Sequence, residues 1–274
     1  MLSSVWIALV VVSCFTPPKE WPAARKIGQL WYEIFDFHCN LSPEERAKNI
    51  CDGENTQFII GMHPHGIIPL QAILWTSYCD QYLKDGNGEM YGFGAAADVV
   101  QYVPFLRNVM AWLTAGGASK KVLVDGLMHG KSAAANALGR KPRHLFILPG
   151  GIAEIFTSDP GKHAIVFKDR RGLIKISIQT GAQLLPTYVF GGTDFFHSFI
   201  HYKSFISDLA RKYKIGLTFF WGQYFSPLIP YAPKVSLCIG PPIAVTKWHG
   251  SPEDIPEAMI DALHKQVCMC SIKL

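Results

Sequence analysis

The chain has 274 residues, and only 17% are charged against about 25% in an average soluble domain. With 49% hydrophobic residues, seven Trp, ten Tyr and seventeen Phe, it should carry surface that something other than water covers, a membrane interface or, in a homo-oligomer, a second subunit. The net charge of +5 falls in short clusters such as Lys120-Lys121 and Arg170-Arg171 without the motifs of a nucleic-acid reader, and the seven cysteines lack the C-x-x-C spacing of a zinc site or disulfide framework.

Leu2–Phe15 is apolar except for serines and a cysteine, and Thr16-Pro17-Pro18 stops it. At 1.5 Å per residue such a helix is about 21 Å long, short of the ~30 Å hydrocarbon core. It lacks a signal peptide's basic start and small-x-small cleavage site, so it reads as a tilted or shallow anchor. Residues 21–37 place Ile27, Leu30, Trp31, Ile34 and Phe35 at helical spacing beside Arg25-Lys26, which suits a helix lying in the headgroup region or one packed on the core. Residues 1–45 are therefore expected to associate with a membrane, and residues 46–274 to form the catalytic domain.

From residue 56 the texture alternates. Residues 57–62 read as a buried strand, 71–83 as a helix, 90–93 as a strand and 99–114 as a helix closing on Gly116-Gly117. Residues 120–138 read as a helix weakened at Gly126 and Gly130, and 144–148 as a strand stopped by Pro149-Gly150-Gly151. A helix is expected over 171–180, capped by Gly181, then a strand over 184–190 and a long aromatic helix over 195–213. A strand over 235–239 and a helix over 252–267 complete the chain. Strands alternating with helices predict an α/β sandwich around a largely parallel sheet.

Two clusters carry candidate chemistry. His63-Pro64-His65-Gly66 follows the first buried strand, where α/β sheets bind ligands. A histidine there can take a proton from a hydroxyl as its oxygen attacks a carbonyl; from the residues alone a mere turn or a metal pair also stays open. Pro149-Gly150-Gly151 follows another strand, and its glycines can turn backbone N–H groups toward an anion or oxyanion. Glu154, the first carboxylate past that turn, can orient an imidazole. The chain has no G-x-S-x-G elbow and no Walker lysine motif. Gly92-Phe93-Gly94-Ala95-Ala96-Ala97 matches a relaxed dinucleotide fingerprint but lacks the acidic residue about 20 positions on.

At these residues the chain resembles the type-2 diacylglycerol acyltransferase family, which includes monoacylglycerol and wax-alcohol acyltransferases. The matching pieces run in order: His63-Pro64-His65-Gly66, then Val103-Pro104-Phe105-Leu106-Arg107 before Gly116-Gly117, then Pro149-Gly150-Gly151 with Glu154. Pro160-Gly161-Lys162, Arg170-Arg171-Gly172 with Lys175, Gly181-Ala182, Leu185-Pro186, Phe190-Gly191 and Pro241-Pro242-Ile243 follow. The resemblance covers residues 57–247. It departs in having one short hydrophobic segment before the histidines and Gly191-Gly192-Thr193-Asp194 where an acidic Gly-Glu-Asn pattern is common.

The resemblance implies a glycerolipid-acyltransferase-like fold and an enzyme of the endoplasmic-reticulum membrane facing the cytosol, or of the lipid-droplet surface. It would esterify a neutral lipid hydroxyl, foremost diacylglycerol, from acyl-CoA without a cofactor or metal. More distant glycerolipid acyltransferases carry an H-x-x-x-x-D dyad, but Ile68 and Leu70 stand at that offset here, and the arginine that binds an acceptor phosphate is absent. That composition suits an uncharged acceptor.

The expected mechanism is direct transfer, with His65 as base, Glu154 orienting it and His63 secondary. Gly66, Arg107, Pro149, Gly150, Gly151, Arg170, Arg171 and Lys175 are the expected substrate-binding residues. Backbone donors near Gly150-Gly151 would hold the oxyanion, and Arg170, Arg171 and Lys175 the coenzyme-A phosphates. A metal-dependent hydrolase using His63 and His65 is the rival enzyme, with His129, His144 and His163 as further ligands; an inactive lipid-binding protein is the non-enzymatic alternative.

Overall fold

The computed structural model describes residues 2–17, 19–21, 23–42, 56–82, 84–85, 88–89, 92–104, 106–129, 144–162, 164–167, 170–199, 204–212 and 218–273. In chain order the strands are β1 (His38–Cys39), β2 (Phe58–His63), β3 (Lys84–Asp85), β4 (Gly88–Glu89), β5 (Gly92–Ala96), β6 (Ala115–Gly117), β7 (His144–Ile147), β8 (Gln183–Phe190), β9 (His197–Ser198), β10 (Phe220–Trp221) and β11 (Ser236–Ile239). Seven form one sheet in the order β1-β11-β8-β2-β7-β5-β6, with β2 at its centre. Only the β8–β11 pair is antiparallel; the other neighbours in this sheet are parallel. This is the largely parallel α/β sheet that the alternating pattern predicts.

Alternation along β2 builds the two cores. Phe58, Ile60 and Met62 pack with Leu74, Trp75 and Tyr78 of the Leu70–Tyr82 helix on one face. Ile59 packs on the other face with Leu145, Leu184, Ile174 and Ile178 of the Arg171–Thr180 helix, and Ile260 of the Glu257–Lys273 helix. Each such side chain contributes roughly 1.5–3 kcal/mol by leaving water. The Arg171–Thr180 helix ends as expected: Gly181 sits at φ +79° and donates its N–H to the Ser177 carbonyl at 2.8 Å.

Several expected elements differ. The helix over 99–114 is a 3-10 turn, Asp98–Tyr102, followed by a separate Leu106–Trp112 helix, because Pro104 cannot continue the backbone ladder. Gly116-Gly117 is not its cap; both belong to β6, and Thr114 takes the left-handed conformation instead. The long helix over 195–213 is replaced by a turn, β9 and a short Phe205–Lys212 helix. Phe195 and Phe196 are buried in the core, and β9 pairs with β10, so tertiary burial overrides the helical spacing. The terminal helix starts at Glu257, after a 3-10 turn over Pro252–Asp254 and Pro256. Of the helix expected over 120–138, Lys120–His129 is helical; residues 130–138 lie outside the described residues.

Leu2–Phe15 is helical over the full expected span, with Ile7, Val10, Val11, Val12 and Phe15 exposed. Among the described residues no helix is long and apolar enough to cross a membrane. Residues 24–31 form a 3-10 helix against Leu70–Tyr82; Phe35 is buried, while Leu30 and Ile34 face outward. This segment thus packs on the core with one side and leaves an apolar side open.

Candidate active site at the carboxyl end of the central strands

Side-chain alternation puts His63, the last residue of β2, on the same face as Ile59 and Gly61, and it is 3% exposed. The parallel neighbour β7 ends beside it, and Pro149-Gly150-Gly151 turns the chain into the Ile152–Thr157 helix, whose first turn carries the fully buried Glu154. His63 Nδ1 lies 2.7 Å from Oε1 of Glu154. A carboxylate only accepts, so Nδ1 carries the proton and Nε2 of the neutral ring keeps its lone pair.

Glu154 is itself fixed. It accepts the backbone N–H of Val166 at 2.9 Å and that of His65 at 2.7 Å. Burial alone would raise its pKa. The hydrogen bond and charge of His63, with those two backbone donors, outweigh burial and hold it below its ordinary 4.5. Gly150 makes the approach feasible, since a Cβ there would overlap the Glu154 carboxyl.

The imidazole that Glu154 orients is therefore that of His63, not that of His65 as the sequence suggested. β2 ends at His63, and His65 lies two residues beyond it, past the cis peptide before Pro64, offering Glu154 only its backbone. His65 Nδ1 lies 2.9 Å from the Gly66 carbonyl. Burial holds the His65 pKa below 6.5, with the charge of His63 adding to the lowering against the Gly66 bond and Glu154. The expected oxyanion donors are also reduced: the Gly151 N–H is engaged by the Leu148 carbonyl at 3.2 Å, closing the turn.

The whole chain bears the same stamp as these motifs: residues 2–274 match the family described as Diacylglycerol acyltransferase. The chain belongs to that family. It is 30% identical to mouse (Mus musculus) Diacylglycerol O-acyltransferase 2, over 93% of this chain and 66% of that protein. It is 24% identical to human Acyl-CoA wax alcohol acyltransferase 1, over 76% of this chain and 64% of the relative. Human 2-acylglycerol O-acyltransferase 3 is 27% identical, over 86% and 68%. The chain thus spans about two thirds of the length of the curated relatives it matches. A crystal structure of the 1-acyl-sn-glycerophosphate acyltransferase from Thermotoga maritima is 14% identical with a TM-score of 0.45, over 90% of this chain and 78% of that one.

Around the pair, this diacylglycerol acyltransferase family member adds contacts that sequence reasoning missed. Gln71, 1% exposed, donates from Nε2 to the carbonyls of Pro64 at 2.7 Å and His65 at 2.9 Å, tying down the histidine turn. Its one visible signal is a glutamine inside an otherwise apolar run. Gly66 sits at φ +69°, and a Cβ there would lie 2.6 Å from the Gly192 carbonyl oxygen, so the turn packs directly on the backbone after β8. Tyr188, in register with His63 on β8, has its phenol pushed up to about 12 by burial and then by the charges of Glu154 and Asp194. Its hydroxyl stays protonated beside the site.

The expected substrate-binding residues divide. Gly66, Pro149, Gly150 and Gly151 gather around the pair. Arg170 donates to the Gly150 carbonyl at 2.7 Å, bracing the turn ahead of Glu154. Arg171 is instead paired with Glu257 at 2.9 Å and with Asp261, and Lys175 lies 3.4 Å from Glu257, all on the terminal helix. Arg107 lies apart from the pair, on the Leu106–Trp112 helix beside the edge strand β6, where its guanidinium donates to the carbonyls of Ser13, Cys14 and Thr16 and so caps the end of the Leu2–Phe15 helix.

Beneath His63 an apolar cavity runs between the sheet and the two helices of that face, lined by Ile59, Phe167, Leu173, Leu184, Pro186 and Val267 among others. Its volume of about 20 Å³ has room for about one water. Phe167 meets the His63 ring edge-on at 5.8 Å. For the metal alternative, no group of three His, Cys, Asp or Glu side chains that could hold an ion gathers among the described residues. His144 is buried, and its Nδ1 accepts the Phe58 N–H at 3.1 Å, while His163 lies outside the described residues.

Proposed function

We propose that this chain transfers an acyl group from acyl-CoA to the hydroxyl of a neutral lipid, with diacylglycerol as acceptor and His63 as the general base. The observation that carries the reading is the 2.7 Å His63–Glu154 contact at the carboxyl end of β2. A buried carboxylate that fixes Nδ1–H leaves Nε2 as the proton acceptor and stabilises the imidazolium once formed. His63 takes the acceptor's hydroxyl proton as that oxygen forms its bond to the thioester carbonyl carbon. Collapse then breaks the C–S bond, and the proton returns through His63 to the leaving thiolate, giving free coenzyme A and the ester. No covalent acyl-enzyme and no cofactor enter this scheme.

The acceptor is uncharged in this proposal because the stretch after Pro149 reads Gly-Gly-Ile-Ala-Glu, without the arginine that binds an acceptor phosphate in more distant glycerolipid acyltransferases, and the nearby Arg170 is turned onto a backbone carbonyl. A monoacylglycerol or fatty alcohol is the second reading, favoured by the names of two relatives. We place the enzyme on the cytosolic face of the endoplasmic-reticulum membrane or on lipid droplets, held by Leu2–Phe15 and the outward side of residues 24–34. Microsomes containing the protein, given labelled acyl-CoA and a panel of acceptors, should form triacylglycerol above wax ester. Free fatty acid as the only product would contradict acyl transfer.

A further inference from the structure

The Glu257–Lys273 helix reaches the catalytic pair through two rings that the proposed scheme leaves unused. Its Ile260, Leu263 and Val267 are buried on the face that packs against β8 and the Arg171–Thr180 helix, at the spacing of one helical stripe. His264 and Cys268 fall on the same stripe, so a histidine stands where the pattern calls for an apolar side chain. The His264 ring stacks on Phe167 at 5.4 Å with 9° between planes, and its Nε2 lies 3.2 Å from the Phe167 carbonyl. A carbonyl only accepts, so Nε2 carries the proton. Nδ1 is then the acceptor for the Cys268 thiol, 3.9 Å away; burial pushes that thiol up, so it keeps its proton.

Phe167 belongs to the segment that fixes Glu154. Its neighbour Val166 donates the backbone N–H that Glu154 Oε1 accepts at 2.9 Å, and Oε1 is also the atom that meets His63. The Phe167 carbonyl accepts the Arg170 N–H at 2.9 Å as well as the His264 ring, while the Arg170 side chain braces the Gly150 carbonyl. The buried Phe167 side chain stands across the His63 ring at 5.8 Å with 88° between planes. Residues 166 and 167 therefore touch both members of the pair, one through its backbone and the other through its ring.

A single hydrogen bond fixes one atom of an imidazole and leaves the ring free to turn about that contact. Glu154 holds Nδ1, so the direction of Nε2 depends on what touches the rest of the ring. An edge-to-face aromatic contact favours one relative orientation, and Phe167 supplies it. Phe167 is held in turn by His264 at two points, its ring by the stack and its carbonyl by Nε2–H. A misplacement of about 1 Å at a reacting centre can cost on the order of 10²-fold in rate, so support of this kind carries catalytic weight.

We propose that Phe167 and His264 are positioning residues for the base, the Glu257–Lys273 helix setting the plane of the His63 ring through the stacked Phe167. The role of His63 as base rests on the acyl-transfer reading, whereas the coupling of the rings does not. In the full chain with isotope-labelled histidine, the His63 Nδ1–H proton resonance is identified by its absence from His63→Ala. His264→Ala should weaken that resonance through exchange with water. The ring signals of His144, whose Nδ1 accepts the Phe58 N–H at the other end of β2, should stay unchanged. In turnover, His264→Ala should lower the maximal rate about tenfold with an unchanged Michaelis constant for either substrate. His264→Gln, which keeps a donor in the place of Nε2, should restore the resonance and most of the rate. If His264→Ala fails to fold, Phe167→Leu, apolar and nearly as large but without a ring, carries the same two expectations. An unchanged His63 resonance, or a defect confined to the Michaelis constant, would overturn the proposal. A resonance that follows the variants in a protein that forms no ester would instead leave the coupling standing and remove the acyl-transfer reading.

Discussion

The His63–Glu154 pair and the described part of the connection between β8 and β11 follow opposite rules. At the pair, charged and polar atoms lie where water is excluded, and the Glu154 carboxylate meets three donors, the His63 ring and the N–H groups of His65 and Val166. In the connection, apolar rings lie where water has access. Burying a carboxylate is tolerable because its partners are pre-arranged, whereas exposed phenyl rings forgo the free energy of leaving water. The acyl transfer proposed above draws on the first of these, a proton transfer kept away from water.

Breaking the polar half should have the largest effect. Glu154→Gln keeps the volume and removes the charge that fixes and stabilises the His63 ring. The maximal rate should fall by about 10²-fold, the usual weight of general-base catalysis, with little change in the Michaelis constant. Steady-state kinetics with diacylglycerol in mixed micelles checks this, and a pure Michaelis-constant effect would make Glu154 a binding contact. Gly150→Ala attacks the same contact from the other side, because its methyl must displace the Glu154 carboxyl. A loss of roughly 1–3 kcal/mol of stability is expected from such overpacking, with activity falling along with it; thermal unfolding and turnover read both.

A smaller, graded effect comes from pH. The folded Glu154 pKa lies below 4.5, so its contribution to stability is complete above that value and is lost as pH falls through the folded value. His65 is also held below its ordinary 6.5, so its protonation favours the unfolded chain and erodes stability as pH falls below 6.5. Unfolding temperatures from pH 7 to pH 3 should decline in both windows, and Glu154→Gln should flatten only the lower one. An unchanged profile in that variant would show that Glu154 is not ionised in the fold.

The sequence reveals more of the scaffold than of the contacts. Strands β2, β7, β8 and β11 are apolar runs mostly bounded by Gly, Pro or polar residues, and the Arg171–Thr180 helix carries its own glycine stop, so each is written locally. The stretch 195–213 is not, because its aromatic spacing fits a helix until Phe195 and Phe196 are claimed by a distant core. Pro104 was a legible break inside residues 99–114 that the apolar pattern obscured. At the site, His63, His65 and Glu154 are visible as residue types, but which ring meets the carboxylate depends on the strand's end and on side-chain alternation. Gln71, Arg170 and Arg107 make their contacts across 6 to 94 positions, beyond any local pattern.

The most direct test compares His63→Ala with His65→Ala under saturating acyl-CoA and diacylglycerol. Both proteins should be folded by thermal unfolding before rates are read. His63→Ala should lose about 10²-fold or more in maximal rate, and His65→Ala about tenfold or less, since its ring is hydrogen-bonded to the Gly66 carbonyl and not to Glu154. An active His63→Ala enzyme beside an inactive His65→Ala one would contradict the assignment of His63 as the base.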